Sequence, residues 1–277
     1  MLSLNQLLNQ YKQEKKAISA FNIDCFEIYQ AIEEVVAETN LPCIVQLSPN
    51  QDQFIQAERL FLLVKKANIE GLPIYLNMDH GKDPARLEKL AKLGFDMIHF
   101  DGSIFDYDKN LDLAKTLIDK IKSLSLNTIV EVEFNRIKAI DNSTSQDIFT
   151  KPDQAKDFIL KSKANLLAVS IGNLHGVNIN RPEQLDISLL SKIATNFPTN
   201  SFFTLHGGSG IPQDQIKQAI NLGVVKVNIN TDLRLKFRDS LRNSINNTNS
   251  EKIYEYMTPV INDLKEIIKE KLIQLSS

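Results

Sequence analysis

The sequence predicts an α/β protein, a closed (β/α)8 barrel, on three observations. Eight short runs rich in β-branched residues recur at intervals of roughly 22 to 40 residues, which suits a strand, a loop and a helix per unit. The segments between them carry apolar residues at helical spacing, as in 27–40 with Ile28, Ile32 and Val36. The length of 277 residues fits one large domain, such as a single barrel of about 250 residues, or two small ones. Eight alternating units indicate a parallel sheet that is covered by helices and closed on itself.

The predicted strands follow one another along the whole chain. In order they are 16–22, 42–48, 73–80, 95–103, 127–134, 165–173, 201–206 and 224–231. An open, doubly wound sheet is the structural alternative. That fold normally has a glycine-rich turn after its first strand, and the segment AFNIDCFE (20–27) has none. We therefore predict a single TIM-barrel domain over 1–277 with a C-terminal helical extension.

Three segments lie outside the regular alternation. Residues 1–16 are amphipathic and lack the apolar region and cleavage site of a signal peptide. The polar segment 135–154 is long for a loop between a strand and a helix, and its length predicts a lid or a disordered loop. The last segment is predicted as one amphipathic helix that begins at Thr258 as N-cap, with Pro259 in the first turn.

Composition and charge narrow the function classes. The chain is 43% hydrophobic and 24% charged, as ordinary soluble domains are, and its formal net charge is −2. This balance predicts no nucleic-acid partner and no anionic membrane partner, and no apolar run approaches the roughly 20 residues of a membrane span. Cys25 and Cys43 lack metal-type spacing, so we predict reduced thiols in or near the core. A cytoplasmic enzyme or binding protein is the expectation.

Polar residues collect where the predicted strands end, and this is the rim at which barrel enzymes carry their chemistry. They are Asp79 and His80, Asp101, Glu131 and Glu133, His175, His206, and Asn228 to Thr231. Singly, each has a structural interpretation, as a hydrogen-bonded histidine or a helix cap. Three imidazoles at three strand ends, leaving an open position, are typical of catalytic zinc. We interpret His99, inside the fourth strand, as structural or supporting.

The motif LHGGSG (205–210) joins a histidine to a glycine pair. Gly207, Gly208 and Ser209 let the backbone approach a ligand closely, and a helix is predicted to begin near Pro212. Helix N-termini and the loops after strands seven and eight bind phosphate in this fold. A mere tight turn is the alternative. A histidine beside such a cradle suits a phosphorylated carbonyl substrate.

Six motifs, spread in order over nearly the whole chain, resemble the zinc-dependent class II fructose-bisphosphate/tagatose-bisphosphate aldolase family. They are NMDHG (77–81), HFDGS (99–103), VEVEF (130–134), SIGNLHG (170–176), LHGGSGIP (205–212) and KVNINTDLR (226–234). The segments AISAFNID and PCIVQLS also look like the first two strands of that family.

The resemblance implies a role for each matching position. His80, His175 and His206 match the zinc-binding histidines, and Asp79 matches the catalytic aspartate that exchanges a proton with the aldehyde oxygen. Asp101 and Glu133 match carboxylates that some members use for a second metal position. Ser48 matches a serine on the aldehyde side. The segments that hold dihydroxyacetone phosphate are matched by Gly176, Gly207, Gly208, Ser209, Asn228, Ile229, Asn230 and Thr231.

The activity that the resemblance implies is cleavage of a ketose 1,6-bisphosphate, of fructose or tagatose type, to dihydroxyacetone phosphate and an aldehyde phosphate. Zn2+ is the implied cofactor, polarising the ketone and stabilising the enediolate. The implied partner is a phosphorylated sugar of carbohydrate metabolism such as glycolysis, and the implied assembly is a homodimer or homotetramer. No Schiff-base lysine is required, although Lys226 lies in the eighth predicted strand.

Two segments depart from the family pattern. After VEVEF the usual glycine pair and acidic residues are replaced by a stretch in which only Asp141 falls where the family's proton-transfer glutamate would sit. The segment after Ser48 also lacks the usual glycine-rich sequence. A metal- and sugar-phosphate-binding barrel that has lost turnover, serving as a sensor or accessory subunit, is therefore an alternative. A zinc-dependent isomerase or epimerase is another.

Overall fold

The computed structural model describes residues 1–124, 126–135, 137, 149–174, 176 and 184–277. Eight parallel strands form its centre. They are β1 (Ile18–Asn22), β2 (Cys43–Leu47), β3 (Ile74–Gly81), β4 (Met97–Asp101), β5 (Ile129–Glu133), β6 (Leu166–Ala168), β7 (Phe202–Leu205) and β8 (Val224–Ile229). All but β3 lie within their predicted ranges, and β3 extends one residue further, to Gly81.

Helices connect the strands. They are α1 (Leu4–Glu14), α2 (Phe26–Thr39), α3 (Pro49–Ile55), α4 (Ala57–Ile69), α5 (Pro84–Leu93), α6 (Tyr107–Ser123), α7 (Pro152–Ser162), α8 (Ile187–Thr195), α9 (Gln213–Asn221), α10 (Thr231–Asn246) and α11 (Ile253–Ser276). Within the described ranges, none of them is both long and apolar enough to span a bilayer.

The sheet closes on itself. Each strand pairs in parallel with its neighbour in sequence, and β1 pairs with β8, with Ile18 opposite Lys226. Every residue of β1, β2, β4 and β5 is buried, because the barrel interior covers one face and the helices cover the other. The predicted (β/α)8 barrel is confirmed.

Helix α1 seals the amino-terminal end of the barrel. Its residues Leu4, Leu7, Leu8 and Tyr11 form one apolar cluster with residues from all eight strands. Those strand residues are Ile18, Ala20, Ile44, Tyr75, Met97, Ile129, Leu166, Phe202 and Val225. The amphipathic pattern of 1–16 thus belongs to a helix that covers the amino-terminal end of the barrel. The polar residues predicted for the site lie at the opposite, carboxyl end.

The C-terminal helix begins earlier than the sequence predicted. Helix α11 starts at Ile253, and Pro259 lies inside it rather than in its first turn. Pro259 lacks the N–H that would bond to the Glu255 carbonyl. Thr258 does not cap the helix but donates its hydroxyl to the Tyr254 carbonyl at 2.6 Å. The helix persists because its buried stripe packs on α2 and α10, and the stripe comprises Val260, Leu264, Ile268, Leu272 and Leu275.

The long segment 135–154 can be followed only at its ends. Residues 136 and 138–148 lie outside the described part, and α7 already begins at Pro152. Thr150 returns to the barrel, where its backbone N–H donates to the Ser170 carbonyl at 2.8 Å. The lid or disordered loop that we predicted there is therefore not tested.

Candidate active site

Side chains from four strands or their ends meet at the carboxyl end of the barrel. His80 on β3 and His206 after β7 bring their ring centres within 4.6 Å of each other. Asp79 on β3, Asp101 on β4 and Glu133 on β5 lie around them. Thus the structure brings five of the seven predicted catalytic and metal-binding residues together. The other two, Asp141 and His175, lie outside the described residues.

A β-bulge explains how neighbours in one strand both reach this centre. Met78 pairs with Ile98 and Gly81 with Phe100, so β3 contains one residue more than β4 between these two pairs. Successive residues of a regular strand face opposite sides of the sheet. The bulge re-aims Asp79 and His80, and both line one cavity.

His80 lies against two carboxylates. Its Nδ1 is 3.2 Å from Oδ2 of Asp101 and 3.5 Å from Oε2 of Glu133. The other oxygen of Asp101 accepts hydrogen bonds from the backbone N–H and, at 2.6 Å, from the hydroxyl of Ser103. Burial alone would raise the pKa of Asp101, but the hydrogen bonds from His80 and Ser103 outweigh it and hold this pKa below its usual range. Asp101 is therefore an ionised acceptor that orients His80.

His206 belongs to a buried chain of charges. Its Nε2 lies 2.6 Å from Oε1 of Glu131, whose other oxygen accepts a 2.9 Å hydrogen bond from Nζ of Lys226. Burial would raise the pKa of Glu131, but the charge of Lys226 opposes burial and holds this pKa low, so the carboxylate is ionised. The Nε2 of His206 must then donate to it. Burial lowers the pKa of His206 to about 3, so its ring is neutral and Nδ1 is the basic nitrogen.

Amide side chains fix Asp79. Asn22 on β1 donates to one oxygen of Asp79 at 3.2 Å, and Asn228 on β8 donates to the other at 3.1 Å. Asn22 is itself held by Gln46 and Gln51. Burial favours the neutral acid, but the charges of His80 and Lys226 outweigh it and hold the pKa of Asp79 well below its usual range. The carboxylate is thus ionised and its orientation fixed.

The donor set fits a divalent cation. One ligand atom from each of Asp79, His80, His99 and His206 lies within 4.8 Å of the others, and His80, Asp101 and Glu133 form a second such group. Oε2 of Glu133 is buried and makes no hydrogen bond to any described residue. Burial raises the pKa of Glu133 despite the imidazoles nearby. This buried oxygen is thus available to a cation, and imidazole and carboxylate groups are among the usual ligands of zinc.

A cavity of about 370 Å³ opens beside this cluster. Asp79, His80 and His206 form its polar floor. Seven of the nine residues predicted to hold substrate also line it, namely Ser48, Gly176, Gly207, Ser209, Asn228, Asn230 and Thr231. Ile229 is instead buried in the hydrophobic core, and Gly208 lies close to Val227 and the backbone of Asn228 and does not line the cavity.

The two glycines of the HGGSG turn have different roles. Gly207 has φ +65°, and a Cβ there would run into the carbonyl of Leu174. The backbone N–H of Gly208 donates to the Asn228 carbonyl at 2.9 Å, so it ties the turn to the end of β8. Ser209 Oγ accepts from the N–H of Asp232 in the first turn of α10 at 3.2 Å. The turn thus docks onto the start of α10, and residues of both face the cavity.

Sequence reasoning missed several residues of the site. Asn22, Asn50 and Arg234 line the cavity, and Glu131 orients His206, yet none was among the predicted site residues. Arg234 lies at the mouth, paired with Asp24 through hydrogen bonds of 2.7 and 2.8 Å. Glu131 had a signal, since it ends the same strand as Glu133. Asn22, at the end of β1, would have been found by treating strand-terminal amides like carboxylates.

The fold and this site define a barrel enzyme with a histidine–carboxylate centre that could hold a metal ion. Residues 2–277 match the class II fructose-bisphosphate aldolase family, and the chain belongs to this family. It is therefore an aldolase, a carbon–carbon lyase of a metal-dependent family whose substrates are phosphorylated sugars.

Two solved structures illustrate the similarity. The YdjI aldolase of Escherichia coli K12 is 25% identical with a TM-score of 0.85, over 98% of this chain and 96% of that chain. A fructose-bisphosphate aldolase of Campylobacter jejuni is 22% identical with a TM-score of 0.78, over 98% and 93% of the two chains. The second comparison speaks to the fold alone.

Proposed function

We propose that this aldolase is zinc-dependent and cleaves a ketose 1,6-bisphosphate, of fructose or tagatose type, to dihydroxyacetone phosphate and an aldehyde phosphate. The observation that carries the proposal is the convergence of His80, His206 and Asp79 on the floor of a cavity lined by the loops after β7 and β8. His175, which the family resemblance assigns to the same cation, completes the proposed ligand set.

His80 and His206 would hold the cation, and each already has a carboxylate that fixes its ring. When bound, a divalent cation supplies Lewis-acid polarisation of the substrate carbonyl. The hydrogen bond from His206 to Glu131 leaves the lone pair of His206 on Nδ1. Such a partner fixes the orientation of a metal-binding histidine and raises its basicity. Asp101 and Glu133 provide the same support for His80 and are the proposed second metal position.

Asp79 is the proposed proton carrier. An ionised carboxylate accepts a proton, so in the cleavage direction Asp79 would take the hydroxyl proton of the carbon that becomes the aldehyde. Its hydrogen bonds to Asn22 and Asn228 stabilise the charged form and fix the oxygens toward the cavity. In the condensation direction the same group returns the proton. Asp141 remains our proposal for the proton at the neighbouring carbon.

The phosphate of the dihydroxyacetone half is proposed to lie between the HGGSG turn and the start of α10. Backbone N–H groups at a helix N-terminus favour an anion there. Gly176, Gly207 and Ser209 from one side and Asn230 and Thr231 from the other line this part of the cavity. Holding the phosphate at this end would align the ketone with the imidazoles, which is how binding energy becomes orientation.

The test is a coupled cleavage assay with fructose and tagatose 1,6-bisphosphates, on zinc-loaded enzyme and after treatment with a chelator. We expect release of dihydroxyacetone phosphate that disappears with the chelator and returns with zinc. Asp79→Asn should lower kcat by 10²-fold or more, the usual size of general acid–base catalysis. The exposed Asp239→Asn on α10 is the matched control and should leave kcat unchanged.

Tight binding of both bisphosphates without turnover would refute the proposal and identify a sugar-phosphate-binding barrel instead. Turnover that survives complete removal of the metal would refute zinc dependence. The assembly that we propose, a homodimer or homotetramer, is tested separately by light scattering coupled to gel filtration.

A further inference from the structure

The backbone of His80 adopts a conformation that needs support. Its φ of +51° lies in the left-handed region, where a non-glycine residue costs on the order of 1–3 kcal/mol. The bulge also takes His80 out of the regular pairing between β3 and β4, since paired residues resume only at Gly81. An unpaired buried N–H costs a further 1–3 kcal/mol, about the loss of a hydrogen bond.

A side chain on β4 receives this N–H. Nδ1 of His99 accepts it at 3.0 Å, and His99 is the single β4 residue that stands opposite the two bulged residues, Asp79 and His80. The imidazole of His99 therefore replaces the carbonyl that a regular parallel ladder would offer at this point.

We propose that His99 is a positioning residue of the active site: its Nδ1 fixes the backbone of His80 in the bulge and so aims both Asp79 and His80 into the cavity. The backbone role follows from contacts within this structure. Its consequence for metal binding and catalysis rests on the proposed function.

The surroundings of His99 hold its ring in the required orientation. The side chain is fully buried, and its ring centre lies 4.7 Å from that of His80 and 4.9 Å from that of His206. Nε2 lies 3.4 Å from Oε2 of Glu133, so the tautomer that carries its proton on Nε2 directs it toward that carboxyl group and leaves Nδ1 to accept from His80. An apolar side chain of the same volume would fill the space but leave the His80 N–H without this acceptor.

Two substitutions separate the acceptor from the bulk of the ring. His99→Asn places an oxygen near the position of Nδ1, whereas His99→Leu removes every acceptor. Met97→Leu, on the same strand and also buried, is the matched control, since such volume-conserving changes cost little. Should His99→Leu not fold, His99→Gln, whose polar atoms lie near Nε2, takes its place.

The first measurement is hydrogen exchange of the His80 amide in the metal-free protein, followed by NMR. We expect protection to fall at least tenfold in His99→Leu and to stay within about threefold of the wild type in His99→Asn and Met97→Leu. The second measurement is zinc affinity by chelator competition. There we expect a 10–100-fold loss in His99→Leu, the usual effect of removing a residue that orients a ligand, with recovery in His99→Asn.

Unchanged protection of the His80 amide in a folded His99→Leu protein would overturn the inference. Equal loss of protection in the asparagine and leucine variants would overturn it too, because the acceptor would then not be the important feature. If the wild-type protein binds no zinc, but the His80 amide loses protection in His99→Leu and keeps it in His99→Asn, the proposed function is refuted and the positioning role is supported.

Discussion

Oε1 of Glu131 accepts a 2.6 Å hydrogen bond from Nε2 of His206, and both side chains are buried at the carboxyl end of the barrel. This contact decides which nitrogen of His206 can bind a cation. A protonated Nε2 leaves Nδ1 as the basic atom, 3.9 Å from Oδ1 of Asp79. The tautomer of one proposed ligand is thus set by a residue that does not itself face the cavity.

Glu131→Gln should therefore weaken zinc binding by 10–100-fold, because the amide is a poorer acceptor and can present its NH2 group to His206 instead. Chelator competition measures the affinity. Glu255→Gln, on the exposed face of α11, is the control and should bind zinc like the wild type. An affinity in Glu131→Gln equal to that of the wild type would show that this hydrogen bond does not tune the ligand.

The second prediction concerns the contribution of Lys226 to stability. Its Nζ is fully buried and donates to Glu131 at 2.9 Å. Lys226→Met should lower the free energy of unfolding by about 3–5 kcal/mol, because it leaves a buried carboxylate without its charged partner. Urea unfolding measures the change. The double variant Glu131→Leu/Lys226→Met should lose less than the sum of the single changes, and strict additivity would contradict the pairing.

The same lysine should form no imine with substrate, since Glu131 holds its amine. Borohydride added during turnover with dihydroxyacetone phosphate is expected to leave the mass of the protein unchanged. A reduced adduct on Lys226 would contradict the proposed metal-dependent chemistry directly.

Most of the barrel was predictable because each strand is a short apolar run between polar loops, and this signal is local. The rim residues were predictable for the same reason, as in the case of His206 at the end of β7. The bulge at Asp79 and His80 was not, because it depends on how β3 and β4 register against each other. His99 was accordingly interpreted as structural or supporting, without its partner. The early start of α11 was missed because packing on α2 and α10 outweighs the cost of Pro259 inside the helix.

The two thiols should resist alkylation in the folded protein. Burial raises the pKa of Cys25 to about 12 and raises that of Cys43 further. At pH 8 the reactive thiolate is then a minute fraction, against roughly a quarter for an ordinary thiol of pKa about 8.5. Iodoacetamide labelling followed by mass spectrometry should find both residues unmodified at pH 8, while the urea-unfolded chain labels at both. Rapid labelling of Cys25 in the native protein would contradict its burial.

The last prediction concerns Gly207, and Gly71 of the same chain is its control. Gly207 and Gly71 both have positive φ, +65° and +89°, but a Cβ on Gly207 would meet the Leu174 carbonyl whereas a Cβ on Gly71 would meet nothing within 4 Å. Gly71→Ala should cost about 1 kcal/mol, the backbone penalty alone. Gly207→Ala should cost more, since the HGGSG turn must move away from Leu174, and it should also raise KM for the bisphosphate because the turn lines the cavity. Urea unfolding and steady-state kinetics test both variants. Equal stability losses and an unchanged KM would show that the turn tolerates a side chain and does not contact the substrate.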